Sequence, residues 1–102
     1  MRANVDKLIN DLSTSEKEIL LNYLKAKFPL FHNSNVFFRD LQYGVRSYYE
    51  SKGLKLTYKQ SEEVAEGVTA TLENEKVLTK INSQTWKVNY EPFITTKPGD
   101  PL

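Results

Sequence analysis

Apolar residues recur at intervals of three and four positions through most of this chain, which is the spacing of helices that bury one face. The first helix is predicted to begin after an N-cap at Asn4, and its apolar face comprises Val5, Leu8, Ile9 and Leu12. Ser13 and Glu16 have the spacing of a capping box, which predicts that a second helix begins there. Pro29 should end this helix, whose apolar face comprises Ile19, Leu20, Tyr23, Leu24 and Phe28.

Two longer helices are predicted in the middle of the chain. The third begins at position 34 or 35 and ends at Gly53, which has the position of a C-cap. Its apolar residues fall within an arc of about 120°, and they are Phe37, Phe38, Leu41, Val45, Tyr48 and Tyr49. After a short strand predicted over 54–57, a capping box of Thr57 and Gln60 opens a fourth helix that extends to about position 74. The expected buried face of this helix comprises Tyr58, Val64, Ala65, Val68 and Leu72.

The pattern then changes to the period of β-strands. Residues 77–81 and 86–90 are rich in β-branched and aromatic side chains, and the polar residues 82–85 separate them. These features predict a β-hairpin. Proline and glycine at Pro92, Pro98, Gly99 and Pro101 disfavour regular structure beyond it. The predicted organisation is therefore a single domain over 1–91 and an irregular C-terminal tail over 92–102.

The order of these elements resembles the winged-helix branch of the helix-turn-helix superfamily. The likeness extends over about 13–90 and is closest over 72–90, where a helix ends at a polar break and two strands follow. It rests on element order and patterning, with no diagnostic motif. The resemblance implies an α+β fold with three to four helices before a C-terminal β-hairpin. In this superfamily the third main helix, here 58–74, usually enters the DNA major groove, and the hairpin wing, here with its tip at 82–85, contacts the backbone or the minor groove.

Length and composition place the chain among single, ordered domains. It has 102 residues, the usual size of one domain, and aromatic residues make up 12% of it, so large rings supply much of the core. It contains no cysteine, which excludes disulfides and thiolate metal sites and fits a reducing compartment. The sequence has neither a signal-peptide pattern nor an apolar run of roughly 18 residues. We therefore expect a cytoplasmic protein that does not contact membranes.

The charge distribution argues against a dedicated nucleic-acid binder. Fourteen lysines and arginines against thirteen acidic residues give a net charge of +1. A dedicated nucleic-acid-binding protein usually has a clear excess of basic residues, because they neutralise the phosphates of the nucleic acid. Between Lys59 and Lys76, five glutamates and two lysines give a local charge of −3. Glu62, Glu63 and Glu66 therefore disfavour insertion of this helix into a DNA groove, where like charges would meet.

Two groups of residues are candidates for contact with a partner. Arg39, Tyr43 and Arg46 share the exposed face of the third helix, where two guanidinium groups beside a ring can grip phosphate or an acidic protein surface. The alternative is a solvated face on which Arg46 pairs with Glu50. In the same helix, Gly44 predicts that another backbone crosses closely.

The second group is Lys80 and Lys87, which with Lys76 would give the hairpin a positive edge. Lysine on an edge strand can also serve only to prevent aggregation between sheets. Trp86, between them, is better explained as a core residue than as a platform on which bases stack.

The residues of catalysis and of cofactor binding are missing from this pattern. His32 is the only histidine, so a transition-metal site would need several carboxylates to converge on it. The four glycines are too scattered for a loop that cradles phosphates. We therefore expect no enzymatic activity, cofactor, metal ion or small-molecule substrate.

The leading hypothesis is a non-enzymatic interaction module that binds another protein or a second copy of itself. The acidic fourth helix and the Arg39–Tyr43–Arg46 face have opposite charge and can pair between copies. Leu21 and the first helix would add apolar contact area to such a dimer. The alternative is a DNA-binding transcriptional regulator, which rests on analogy with the superfamily.

Overall fold

The computed structural model of the protein describes residues 4–28, 30 and 32–90. The elements in chain order are α1 (Val5–Ser13), α2 (Lys17–Lys27), β1 (Asn35–Phe37), α3 (Phe38–Ser51), α4 (Tyr58–Asn74), β2 (Leu78–Asn82) and β3 (Thr85–Val88). Within these described residues, four helices and a small antiparallel sheet confirm the predicted α+β class. The tail predicted over 92–102 lies outside the described residues.

The sheet contains a strand, β1, that the sequence did not predict. Its order is β1-β3-β2 with antiparallel pairs, so β3 is central and the hairpin strands are β2 and β3. β1 occupies positions that the sequence assigned to the start of the third helix, because Val36 pairs with Trp86 and is buried. The predicted hairpin is confirmed, although its turn contains only Ser83 and Gln84.

Local capping explains several helix ends. The side chain of Asn4 accepts a hydrogen bond from the backbone N–H of Lys7, as predicted for an N-cap. Thr57 and Gln60 form both hydrogen bonds of the predicted capping box at the start of α4. Gly53 follows the C-cap of α3 with φ of +87°, a left-handed conformation in which glycine avoids steric strain.

Two local predictions between helices are wrong. Ser13 is the buried last residue of α1, and α2 begins after Glu16 without a side-chain cap. The carboxylate of Glu16 instead accepts hydrogen bonds from Tyr48 and Lys52, so tertiary contacts outweigh the local cap. No strand forms over residues 54–57, all of which are described; they link α3 to α4, with Leu56 buried in the core.

The core lies between the helices and the inner face of the sheet. Its least exposed apolar residues are Leu12, Leu20, Leu24, Val36, Val45, Leu56, Val64, Ala65 and Leu72. α1 packs against α4, which buries Leu8 as well as Leu12. Leu21 is also buried, so the prediction that Leu21 supplies contact area for a dimer is wrong. On the first helix, Leu8 and Leu12 are used in the core, whereas Val5 and Ile9 are only partly buried.

Some residues of the predicted apolar faces are exposed. Tyr58 is 67% exposed, because it is the first residue of α4 and lies beyond the part of that helix that packs on the core. Phe37 is exposed because strand alternation turns it away from the side that buries Val36. Gly44 is indeed closely approached, but by a side chain: a Cβ there would lie 2.1 Å from Cδ2 of Leu24. The prediction of a crossing backbone is therefore wrong.

Candidate functional site

A groove of about 630 Å³ separates α4 from the hairpin and from the start of α3. We name it the α4–hairpin groove. Its charged and aromatic lining includes Arg39, Tyr58, Glu62, Glu66, Lys80 and Trp86. Two of the three elements around the groove, α4 and the hairpin, are those that the winged-helix resemblance assigns to contact with DNA.

Trp86 and Phe38 build the floor of this groove. Trp86 is 4% exposed, and the centroid of its ring lies 6.2 Å from that of Phe38. Its indole Nε1 donates a hydrogen bond to Oε1 of Glu73, which joins the hairpin to α4. The prediction that Trp86 is a core residue is thus confirmed, and its polar edge is satisfied by one of the α4 glutamates.

The buried side chain of Gln42 sets the position of α3 against the start of α4. Its Nε2 donates to the carbonyl oxygen of Tyr58 at 3.3 Å and to Oγ of Ser61 at 3.2 Å. Oγ of Ser61 in turn donates to the carbonyl oxygen of Tyr58 at 2.7 Å. Because a buried polar group is costly unless it is hydrogen-bonded, this network favours one spacing of the two helices. Arg39 and Tyr58, which both line the groove, belong to the two helices that this network joins.

The wall of the groove that α4 provides is acidic. Glu62 and Glu66 lie one turn apart, and neither belongs to an ion pair within the described part of the chain. The lining has three carboxylates, counting Glu73, against the two cations Arg39 and Lys80, which is a net charge of −1. The groove is therefore acidic and has cationic groups only at its α3 and hairpin sides.

The predicted Arg39–Tyr43–Arg46 face is exposed, but it spans two surfaces. Arg39 lines the α4–hairpin groove, whereas Tyr43 and Arg46 border a second groove of about 450 Å³ between α2 and α3. Arg46 and Glu50 are both described, and no ion pair joins them. The ion pair between Arg46 and Glu50, which the alternative of a solvated face predicted, is therefore not formed.

The structure adds Lys27, the last residue of α2, to this second surface. Its Nζ lies 5.9 Å from the ring centroid of Tyr43 and 5.4 Å from that of Tyr23. Tyr43 also packs edge-on against Phe28, with ring centroids 6.3 Å apart. Lys27, Tyr43 and Arg46 therefore form one surface, which we name the cationic patch. Sequence reasoning missed Lys27 because only the packing of α2 on α3 brings it beside Tyr43.

Lys80 and Lys87 do not form the shared positive edge that the sequence predicted. Lys80 is opposite Trp86 in the hairpin and lines the groove. Lys87 is one position further along β3, paired with Thr79 and Asn35, and strand alternation places it on the other face of the sheet. Because β3 is the central strand, protection of a free edge does not explain Lys87 either.

A separate polar cluster joins the α1–α2 connection to the end of α3. Oε1 of Glu16 accepts a hydrogen bond from the ammonium of Lys52 at 2.6 Å and another from the hydroxyl of Tyr48 at 2.6 Å. These two bonds, that of Lys52 first, lower the pKa of the Glu16 carboxyl. Burial, and then the hydrogen bond to Glu16, raise the pKa of Tyr48. The three side chains satisfy one another, so this cluster stabilises the fold.

Among the residues the structure describes, no three histidine, cysteine or acidic side chains group as metal ligands would. His32 is partly buried near the start of β1 and is not among the residues that line the α4–hairpin groove. Within the same described ranges, no helix has the length and apolar character needed to cross a bilayer.

Comparisons with protein-family models, with curated proteins and with solved structures found no significant match. The resemblance to winged-helix proteins therefore stays a prediction from element order. Any function proposed for the chain depends on the geometry and charge of its own surfaces.

Proposed function

We propose that this chain is a non-enzymatic, cytoplasmic protein-interaction module and that the α4–hairpin groove is its contact surface. The observation that carries the proposal is the combination of Glu62, Glu66 and Tyr58 on one side of an open groove. Both carboxylates lack an ion-pair partner among the described residues, and Tyr58 leaves 67% of its surface exposed.

The aromatic content of the groove supports a protein partner. Tyrosine, tryptophan and arginine are the residue types enriched among those that dominate binding energies at protein interfaces. Tyr58 and Arg39 line the groove, and Trp86 lies in its floor. A rigid floor reduces the entropy lost on binding, because fewer side chains have to be ordered.

The acidic wall supports a partner that is not a polyanion. Duplex DNA carries one negative charge per roughly 1.7 Å along its axis, so a helix seated in its groove lies among phosphates. Glu62 and Glu66 face the space that such a duplex would occupy if α4 were a reading helix. Repulsion of like charges at close range disfavours that complex and favours a cationic or neutral surface.

A DNA-binding regulator remains the second candidate, because Arg39 and Lys80 line the same groove from α3 and from the hairpin. A titration of the protein with generic duplex DNA at low salt separates the two functions. We expect no binding under these conditions. Tight binding that weakens steeply as salt is raised would instead require several phosphate contacts and would overturn the proposal.

The protein partner is tested with a photo-crosslinking amino acid placed at Ala70, an exposed residue that lines the groove. The matched control carries it at Glu63, which is exposed on the same helix and does not line the groove. We expect a protein adduct from position 70 that is absent, or much weaker, from position 63. Equal labelling from both positions, or no protein adduct from position 70, would contradict the proposed contact surface.

A further inference from the structure

We infer that the partner in the α4–hairpin groove is a second copy of this chain, whose cationic patch meets the acidic wall of the groove. This inference rests on the proposed function and names the partner. Glu50 also lines the second groove, so the surface that contains the cationic patch has a net charge of +1. The charges of the two surfaces are opposite: Glu62 and Glu66 on one, Lys27 and Arg46 on the other. None of the four forms an ion pair in the described part of its own chain.

Each surface also carries an exposed tyrosine. Tyr43 is 58% exposed in the cationic patch, and Tyr58 is 67% exposed at the groove. Contacts with Phe28 and Lys27 hold the ring of Tyr43 in place, so little conformational freedom remains to be lost on association. The two surfaces thus offer both charge complementarity and large aromatic side chains that can be buried.

The positions of the two surfaces suit a closed dimer. Both adjoin α3: Arg39 lines the groove, and Tyr43 and Arg46 lie four and seven residues further along the same helix. At about 1.5 Å per residue, these separations are about 6 and 10 Å along the helix axis. Neighbouring surfaces can meet twice around a two-fold axis, groove to patch and patch to groove, and the dimer is then closed.

The overall charge of the chain favours a second copy over a strongly charged partner. The net charge is +1, so two copies experience little long-range repulsion as they approach. The attraction is local and confined to surfaces on which opposite charges face each other. It should therefore weaken as ionic strength rises, because salt screens exposed charge pairs.

The test is analytical ultracentrifugation of the full chain at low and high salt. The wild-type protein should dimerise at low salt and dissociate as salt is raised. Two double variants, Lys27→Glu/Arg46→Glu and Glu62→Arg/Glu66→Arg, reverse one surface each, and each alone should weaken dimerisation at least about fivefold. A large effect is expected because every contact occurs twice in a two-fold dimer, and each reversal turns attraction into repulsion.

An equimolar mixture of the two double variants provides the decisive measurement. In the mixed dimer, the reversed patch meets the reversed groove, and the unchanged groove meets the unchanged patch. Both contacts are complementary, so dimerisation should return to near the wild-type level although neither variant dimerises well alone. A general folding defect would not be rescued by mixing, and circular dichroism checks that each variant is folded.

Glu63→Arg is the matched control, because this glutamate is exposed on α4 but does not line the groove. It should leave dimerisation unchanged. A wild-type chain that stays monomeric at every concentration, or a mixture that fails to dimerise, would overturn the inference. Either result would leave the proposed function standing if the crosslinker at Ala70 still captured a different protein, so the two failures are distinguishable.

Discussion

Substitution of Gly67 by alanine tests how closely α1 packs against α4. Gly67 lies in the interior of α4, where alanine favours the helix by up to about 1 kcal/mol relative to glycine. A Cβ at this position would lie 2.4 Å from Cδ1 of Ile9 on α1 and 2.8 Å from its Cγ1 and Cγ2. The helix propensity and the contact with α1 therefore act in opposite directions.

In the wild-type protein, the steric clash with Ile9 should outweigh the gain in helix propensity. Ordinary van der Waals contact begins near 3.4 Å, so the whole Ile9 side chain would have to move by several tenths of an ångström or more. Overpacking of this kind costs about 1–3 kcal/mol. With the helix propensity subtracted, we expect Gly67→Ala to lower the free energy of unfolding by about 1 kcal/mol.

The sign should reverse when Ile9 is first replaced by alanine. Ile9→Ala removes Cγ1, Cγ2 and Cδ1, which are the three atoms that a Cβ at position 67 would meet. In the Ile9→Ala protein, the only remaining effect of Gly67→Ala is the higher helix propensity of alanine. The substitution should then raise the free energy of unfolding by up to about 1 kcal/mol. The coupling energy of the double-mutant cycle is then about 2 kcal/mol, well above the 0.5 kcal/mol scatter of independent sites.

Urea denaturation of the four proteins measures this cycle, with the slope of the transition checked for constancy. Replacement of Gly67 that stabilises the wild-type protein, or an additive cycle, would refute the packing of Ile9 over Gly67. In that case α1 would not contact α4 in the way described, and the support of α4 behind the groove would have to be revised.

Three further results are expected from the same structure. Thr57→Ala removes the capping box of α4 and should cost about 1 kcal/mol of unfolding free energy in urea denaturation, with no loss from an exchange to serine. The pKa of Glu16 is lowered below 4.5, so the contribution of its carboxylate to stability is present above that pH and is lost as the pH falls through the folded-state pKa. In acid denaturation, Glu16→Gln should lack this pH-dependent loss of stability. Trp86→Phe removes the indole donor to Glu73 and should destabilise the hairpin, and hydrogen exchange should increase in β2 and β3 more than in α2. Unchanged exchange in the hairpin would contradict the role given to this bond.

The helices and the hairpin could be predicted because their signals are local. The periodic apolar faces, the N-cap at Asn4, the box of Thr57 and Gln60 and the glycine at position 53 all act within a few residues of the chain. The exposure of Arg39, Tyr43 and Arg46 followed in the same way from the buried stripe on the opposite side of their helix. Each of these predictions depends on backbone geometry that neighbouring residues determine.

The predictions of local structure were wrong where contacts with residues distant in sequence outweigh the local conformational preference. Positions 35–37 have the apolar spacing of a helix. Their backbone nevertheless pairs with β3, so these residues belong to the sheet. Ser13 and Glu16 have the spacing of a capping box, yet Tyr48 and Lys52 bind the carboxylate from the far end of α3. In both cases the competing partner is more than 30 residues away in sequence, where a local pattern carries no information.

The sequence by itself determined the fold class, the sign of the charge on α4 and most of the buried faces, apart from Ile19, Phe37 and Tyr58, because burial periodicity and formal charge are properties of the chain alone. Only the tertiary structure decided which charged residues share a surface. It separated Arg39 from Arg46, divided Lys80 from Lys87 across the sheet, and brought Lys27 beside Tyr43. The physical reason is that helix packing and strand order place side chains relative to residues on other elements, and interaction surfaces are built between elements.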